Sequence, residues 1–166
     1  MGKKILIIGH ARHGKDTLAE ILNEHFGLTF KSSSQMANEI FIFEKLRGKY
    51  GYKTLDDSFN DRINHRAEWH ELIVEYNKED PARLAKEIIS VVDIYVGMRS
   101  QLELDECLKI NLFDLVIWVD ASERLPHESN TSIKIDKSSA HIIMLNNVTR
   151  ESFVKKAIMF GKCINL

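Results

Sequence analysis

Proline, cysteine and net charge are all scarce in this sequence. Its 166 residues include two prolines and two cysteines, and the formal net charge at neutral pH is −1. A charge so close to zero argues against a molecule whose whole surface attracts nucleic acid or an anionic membrane. Cys107 and Cys163 match no metal-binding or redox spacing. We therefore expect reduced thiols in a cytoplasmic protein.

Long apolar runs are also missing. The first run stops at Ile8, which is too short for the core of a signal peptide. No stretch approaches the roughly 20 apolar residues that a membrane-spanning helix needs, so we expect no membrane partner. The length suits one domain with one sizeable core, which we assign to residues 1–166.

Five short apolar runs predict five β-strands. Their residues are apolar in succession instead of alternating, which is typical of strands buried on both faces. Stretches with helical periodicity separate these runs. Strands that alternate with helices indicate an α/β fold, with a parallel sheet between two layers of helices. The runs are 4–8, 28–30, 91–96, 115–119 and 141–145.

The segment 34–90 is polar and helical, and it is far longer than the dozen residues that a crossover between parallel strands needs. We expect it to form a lobe over the carboxyl ends of the strands, where ligands of open α/β sheets bind. Arg62, His65, Arg66 and Trp69 have the spacing of one helical face within this lobe. That face would suit an anionic group attached to a base. The alternative is a solvated face with Trp69 turned into the core.

The strongest chemical signal is the glycine-containing segment 9–17. It fits G-x-x-x-x-G-K and lies between a buried strand and an amphipathic helix, as a phosphate-binding loop requires. The glycines let backbone N–H groups and the helix N-terminus point at an anion, and Lys15 bridges the terminal phosphates. A dinucleotide-binding loop would need glycine at position 11, which is alanine. The residues expected to bind ATP are Ala11, Arg12, His13, Gly14, Lys15, Asp16 and Thr17.

Asp16 stands where such loops usually carry serine or threonine, and Thr17 follows one place later. A carboxylate beside phosphates is unfavourable unless a cation lies between them. Asp16 therefore either ligates Mg²⁺, at a metal site that we assign to Asp16 and Thr17, or turns outward as an acid in the first turn of the helix. His10 and His13 are expected to flank the phosphates or the base. Neither has a visible partner for a zinc site.

The Gly-Lys-Asp-Thr spelling of the loop resembles phage deoxynucleoside monophosphate kinases and some related P-loop kinases. Three further segments agree with this resemblance. Val96–Glu103 resembles a strand end in nucleotide and dephospho-coenzyme A kinases, Val116–Arg124 their fourth strand and lid start, and Ile142–Phe153 their last strand and helix. The resemblance implies a nucleoside-monophosphate-kinase-like fold with strand order 2-3-1-4-5. It also implies a short lid-like loop over 121–138. The chain departs from the family at Val96, where an aspartate is frequent.

Further site residues are expected around the loop. The resemblance implies that Arg124 lies near the transferring phosphate. Arg99 follows a strand end and a glycine, so we expect it to face the ligand, although it could instead pair with Glu103. Ser33 either contacts substrate or helps to cap the next helix. The catalytic candidates are thus Lys15, Arg99 and Arg124, and the substrate-binding candidates are Ser33, Arg62, His65, Arg66, Trp69 and Arg99.

Transfer of the γ-phosphate of ATP to a nucleotide, first of all a deoxynucleoside monophosphate, is the leading hypothesis for the function. A phosphate acceptor is already ionised, so catalysis needs cations and positioning but no general base. The alternative is a kinase for a hydroxyl of a nucleoside or of a hydroxymethylated base in phage DNA. That reaction would use a carboxylate such as Asp57, Asp61 or Asp93, and only this alternative has a nucleic acid as partner. A third possibility, an NTP-binding module without catalysis, lacks the guanine-reading motif of GTPase switches.

Overall fold

A computed structural model of the chain describes residues 2–126 and 133–166. Five strands alternate with helical segments along the chain, as predicted. They are β1 (Ile5–Ile8), α1 (Lys15–Phe26), β2 (Phe30–Ser32), α2 (Ser33–Ala37), α3 (Phe43–Tyr50), α4 (Leu55–Asp61), α5 (Arg66–Tyr76), α6 (Arg83–Val91), β3 (Ile94–Val96), α7 (Gln101–Lys109), β4 (Leu115–Asp120), β5 (Ile142–Leu145) and α8 (Arg150–Cys163). A π-helical turn, Asn38–Ile42, joins α2 to α3, and a 3-10 turn, Lys137–Ser139, precedes β5.

The five strands form one parallel sheet in the order β2-β3-β1-β4-β5. This confirms the predicted fold class and strand order. The central strand β1 is fully buried, as its unbroken apolar run indicated. Ile7 lies opposite Val96 and Ile117. Because the strands are parallel, the segments that follow β1, β3 and β4 therefore leave the sheet at one edge.

Each face of the sheet has its own core. Ile5 and Ile7 point to the face covered by α1 and α8, and Leu6 and Ile8 point to the other face. Helices α2 to α7 contribute to the core on that second face. The long helical segment therefore covers the face of the sheet opposite α1 and α8. None of the helices in the described part of the chain is long and apolar enough to span a membrane.

Two strands begin later than predicted. Strand β2 starts at Phe30 because α1 continues to Phe26 and ends at Gly27, whose positive φ of 71° closes the helix. Strand β3 starts at Ile94 because α6 continues through Val91. The apolar positions of α6 remain buried at helical spacing, so this stretch follows the helical period and not the strand period.

The prediction of one helical face over 62–69 is wrong. Helix α4 ends at Asp61 and α5 begins at Arg66. Between them the chain makes a turn, in which the N–H of His65 donates to the carbonyl of Arg62 at 3.2 Å. Trp69 lies in the core instead of beside the arginines. Of the predicted lid-like loop 121–138, residues 127–132 lie outside the described residues.

Candidate active site

Close contacts with β4 and with the turn after β5 explain both glycines of the phosphate-loop motif. Gly9 has a φ of 147°, and a Cβ there would lie 2.5 Å from the carbonyl oxygen of Val119 in β4. Gly14 has a φ of 101°, and a Cβ there would collide with the side-chain amide of Asn146. Arg12 between them also has a positive φ, of 65°. Such alternation of backbone conformation turns successive N–H groups toward one point, which suits an anion.

Lys15 and Asp16 begin helix α1 directly after Gly14. The side chain of Lys15 is 11% exposed, whereas that of Asp16 is 67% exposed, and the ammonium and carboxylate lie 3.8 Å apart. Gly97, directly after β3, lies beside Lys15, since a Cβ at Gly97 would be in ordinary contact with its Cε at 3.7 Å. No side chain of the described residues caps α1 at its start. Its first N–H groups can therefore bind a phosphate.

Magnesium fits the chemistry of this helix start. The described residues contain no cluster of three histidine, cysteine, aspartate or glutamate side chains that would enclose a metal. Mg²⁺ at phosphate-transfer sites keeps several waters and takes one or two protein oxygens besides those of the phosphates. The exposed carboxylate of Asp16 and the adjacent hydroxyl of Thr17 offer such oxygens.

His13 is fully buried, and its ring is turned toward the segment that follows β4. Its Nδ1 accepts a hydrogen bond from the backbone N–H of Ala121 at 3.0 Å. Nδ1 therefore carries no proton, and Nε2 donates to the carbonyl oxygen of Pro126, 3.2 Å away. His13 is a neutral side chain that holds the turn after β4. His10 instead lies edge-on to the ring of Trp118, with ring centroids 5.4 Å apart.

Arg124 lies in that turn, Ala121–Pro126, and is tied to the turn after β5. Its Nε donates to the carbonyl oxygen of Asn146 at 2.7 Å. The side-chain amide of Asn146 in turn donates to the carbonyl oxygen of His13 at 2.9 Å. The phosphate loop, the turn carrying Arg124 and the turn after β5 thus form a closed set of hydrogen bonds. This arrangement brings Arg124 next to the phosphate loop.

Two arginines of the helical lobe lie close to each other, and one of them, Arg62, is near the start of α1. The guanidinium of Arg62 stacks on Phe59, 3.8 Å from the ring centroid, and donates to the Phe59 carbonyl at 2.7 Å. Partial burial and the positive charge of Arg66 lower the pKa of Arg62, while the carboxylate of Asp16 acts in the opposite direction. Arg62 therefore lies within electrostatic reach of both Arg66 and Asp16. Tertiary packing thus brings Arg62 of the lobe near the start of α1.

His65 is part of a separate polar cluster in the lobe. Its Nε2 lies 3.0 Å from a carboxylate oxygen of Asp61, and its ring stacks on Tyr50 with centroids 4.0 Å apart. Tyr52 also donates to Asp61, at 2.6 Å. A cleft of about 560 Å³ opens next to this cluster. None of the residues that line the cleft belongs to the phosphate loop, so we place the candidate chemistry elsewhere.

Arg99 is exposed after β3, and its carbonyl oxygen accepts from the N–H of Lys134 at 2.9 Å. Its alternative partner, Glu103, is instead turned into the core. There Glu103 accepts a hydrogen bond from Tyr95 at 3.0 Å. Burial raises the pKa of Glu103 to about 7, against the effect of the bond from Tyr95.

Two roles, capping of the next helix and a substrate contact, were considered for the serines at the end of β2. Ser32 caps α2, because its hydroxyl accepts from the N–H of Gln35 at 3.2 Å. Ser33 is half-buried, and its hydroxyl interacts with that of Tyr95. The capping role thus belongs to Ser32, and a substrate contact by Ser33 stays a prediction.

The three aspartates considered for activating a hydroxyl all have other partners. Asp57 accepts from the N–H of Thr54 in the capping box of α4, and Asp61 accepts from Tyr52. Asp93 comes directly before β3 and is therefore at the amino end of the sheet, where Thr29 donates to it. The phosphate loop follows the carboxyl end of β1. Asp93 was therefore a wrong candidate.

Asp120 is a site residue that the sequence analysis missed. It ends β4, is 4% exposed, pairs with Lys137 and accepts from the N–H of Ser122 at 2.9 Å. Burial would raise the pKa of Asp120, but the hydrogen bonds from Lys137 and Ser122 outweigh it and lower that pKa, so the group is ionised. An acid directly after the apolar run 115–119 was the available signal. A cavity of about 250 Å³ adjoins it, lined by His10, Trp118, Asp120, Ser122, Ile133, Ile135 and Lys137.

No protein-family model and no curated protein matches this sequence. Solved structures do match its fold. Shikimate kinase from Bacteroides thetaiotaomicron is 11% identical with a TM-score of 0.55, covering 99% of each chain. Shikimate kinase from Acinetobacter baumannii, in complex with shikimate, is 15% identical with a TM-score of 0.53, covering 99% of this chain and 93% of that one. The chain thus has the fold of P-loop kinases, and these neighbours do not single out the deoxynucleoside monophosphate kinases.

Proposed function

We propose that this protein is an ATP-dependent phosphotransferase that transfers the γ-phosphate to the phosphate of a nucleotide, with a deoxynucleoside monophosphate as the leading acceptor. The observation that carries the proposal is the charge beside the phosphate loop. Arg62 reaches the start of α1 from the lobe, and the positive charge of Arg66 beside it lowers the stability of the charge on Arg62. An anion between them relieves this repulsion. A phosphate acceptor supplies that anion.

The chain's own residues suffice for transfer between two phosphates. Backbone N–H groups of residues 11–17 bind the phosphates of ATP, and Lys15 follows the charge on the transferred group. We expect Arg124, which is tied to Asn146 beside the phosphate loop, to stabilise the same charge. Mg²⁺ held by Asp16 and Thr17 would neutralise charge on the phosphates of ATP. Because the acceptor is already ionised, no residue has to remove a proton.

The test is a panel of acceptors incubated with ATP labelled in its γ-phosphate. The panel contains deoxynucleoside monophosphates, the matching nucleosides, DNA and a hydroxy acid such as shikimate. We expect label on the monophosphates, and none in the Lys15→Ala control. Label on nucleosides, DNA or the hydroxy acid, with none on monophosphates, would overturn the proposal.

A hydroxyl acceptor is the second candidate, favoured by two observations. One neighbour of similar fold is a shikimate kinase in complex with shikimate, and Asp120 is an ionised carboxylate at the end of the strand beside β1. However, Asp120 already accepts from Lys137 and Ser122, and its lowered pKa makes it a weak base. Under this candidate Asp120→Asn lowers kcat with a hydroxyl acceptor by about 10²- to 10⁴-fold.

A further inference from the structure

The cavity beside Asp120, defined above by its seven lining residues, opens on the face of the sheet that carries the helical lobe. Trp118 lines the cavity and belongs to the core formed with α2 to α7, whereas α1 and α8 cover the opposite face. His10, also in the lining, is the second residue of the phosphate loop. The cavity therefore adjoins the loop on the side where an acceptor held by the lobe lies.

The lining combines apolar walls with two opposite charges. Trp118 is 2% exposed, and Ile133 and Ile135 are also buried. The charged part is the carboxylate of Asp120 with the ammonium of Lys137. A planar heterocycle that carries an N–H donor next to a carbonyl matches this set. Its faces pack against the apolar walls, the carboxylate accepts from its N–H, and the ammonium donates to its carbonyl.

Each partner of the ion pair keeps a hydrogen-bonding position that the pair does not use. A carboxylate offers about four acceptor positions, and in Asp120 three of them are occupied by Lys137 and by the N–H and hydroxyl of Ser122. An ammonium has three donors, and one of them serves Asp120. Both groups can therefore bind the edge of a ring while they remain paired. A volume of about 250 Å³ lies below the usual range for a whole drug-sized ligand and suits one ring system.

We propose that this cavity binds the nucleobase of the acceptor. The inference rests on the proposed function, in which the acceptor is a nucleotide whose phosphate lies between Lys15 and the lobe arginines. The base then extends from the phosphate loop past His10 toward Trp118. The competing explanation is that the Asp120–Lys137 pair only ties the segment 133–137 to the end of β4.

The first test compares kcat/KM for deoxynucleoside monophosphates with kcat/KM for 2-deoxyribose 5-phosphate, which keeps the phosphate and lacks the base. We expect the base-free acceptor to be at least about 10²-fold worse. Lys137→Met should lower kcat/KM for the nucleotides roughly 10- to 150-fold, which is the scale of one charge-assisted hydrogen bond. It should affect the sugar phosphate far less. Lys155→Met, which removes an exposed lysine paired with Glu151 in α8, is the matched control.

Two results of this comparison would overturn the base site. One is a sugar phosphate that is turned over as well as the nucleotides. The other is a Lys137→Met variant that lowers kcat/KM for both acceptors by the same factor, as expected if the pair only ties the segment down.

The second test needs no phosphate transfer, so it separates this inference from the proposed function. Deoxynucleoside monophosphates, added without ATP to the Trp69→Phe variant, should quench the fluorescence of Trp118, and 2-deoxyribose 5-phosphate should not. Quenching by nucleotides that never become labelled would reject the transfer and support the base site. Labelled nucleotides that leave the fluorescence unchanged at saturation would reject the base site and support the transfer.

Discussion

The Nδ1 atom of His13 accepts a hydrogen bond from the backbone N–H of Ala121 at 3.0 Å. Through Nε2 the same ring donates to the carbonyl oxygen of Pro126. One side chain of the phosphate loop therefore holds both ends of the turn that carries Arg124. Asn146 completes the arrangement, because it accepts from Arg124 and donates to His13. The position of Arg124 thus depends on a residue of the loop that binds phosphate.

His13→Phe should remove most of the contribution of Arg124. The substitution keeps an aromatic ring but leaves the N–H of Ala121 without its acceptor. In the unchanged protein we expect Arg124→Ala to lower kcat by about 10²-fold, the scale of one transition-state donor. In the His13→Phe background the same change should cost much less. Kinetics of the two single variants and the double variant measure this coupling. Additive losses in folded variants would show that His13 does not position Arg124.

Lys15→Ala should abolish turnover while the protein stays folded. Lys15 lies at a helix start outside both cores, so its loss removes a charge and little packing. We expect kcat to fall by at least about 10²-fold. Steady-state kinetics and a thermal unfolding curve measure the two effects. Lys155→Ala is the matched control. A folded Lys15→Ala protein with near-normal turnover would refute the role of the phosphate loop.

Asp16→Asn tests whether the exposed acid binds metal. Loss of the charge should weaken the apparent affinity for Mg²⁺ more than it weakens metal-free binding of ATP. Titrating turnover with Mg²⁺ measures the apparent affinity for the metal. Measuring nucleotide binding with and without Mg²⁺ gives the affinity for metal-free ATP. If the dependence on Mg²⁺ does not change, Asp16 is a helix-start acid only.

Arg66→Ala should raise the KM for the acceptor roughly 10- to 150-fold, the scale of one charge-assisted contact. The KM for ATP should change much less, because Arg66 belongs to the lobe and not to the loop. Arg47→Ala, which removes an exposed lobe arginine paired with Glu44, is the control. Equal increases in both KM values would contradict an acceptor site at the lobe arginines.

Glu103 should make stability depend on pH. Burial raises its pKa from 4.5 to about 7 in the folded protein, so the native state retains a proton that the unfolded state loses. This contribution is complete below pH 4.5 and is lost as the pH rises through 7. The shift corresponds to about 3 kcal/mol. The Glu103→Gln variant has no proton to lose at this position, so its free energy of unfolding does not show this decrease. Measured by denaturant unfolding, the stability of the variant relative to the original protein should therefore rise between pH 4 and pH 8. A difference between the two free energies of unfolding that does not change with pH would refute the role of the Glu103 proton.

The phosphate loop and the sheet were predictable from local signals. The loop's chemistry is contiguous, since Gly9, Gly14 and Lys15 have to stand at fixed spacing for backbone N–H groups to converge. The local sequence also predicts the buried strands, because a run such as 115–119 is apolar on both faces. The break between α4 and α5 was not predictable from periodicity. Side-chain hydrogen bonds stabilise this break, such as the one that Asn64 donates to Asp61. The spacing of residues along a helical face gives no sign of such bonds.

The rest of the site was decided by tertiary structure alone. A histidine in a phosphate loop suggests a ligand contact, and only packing against the turn after β4 makes His13 a buried support. Likewise the pairing of Asp120 with Lys137, and the approach of Arg62 to Asp16, join residues from separate elements. Residue spacing in the sequence does not predict such contacts. The partners are far apart along the chain, and only the packing of the sheet and the two cores brings them together. The sequence alone determined the candidate phosphate-binding loop, and packing decided which charges surround it.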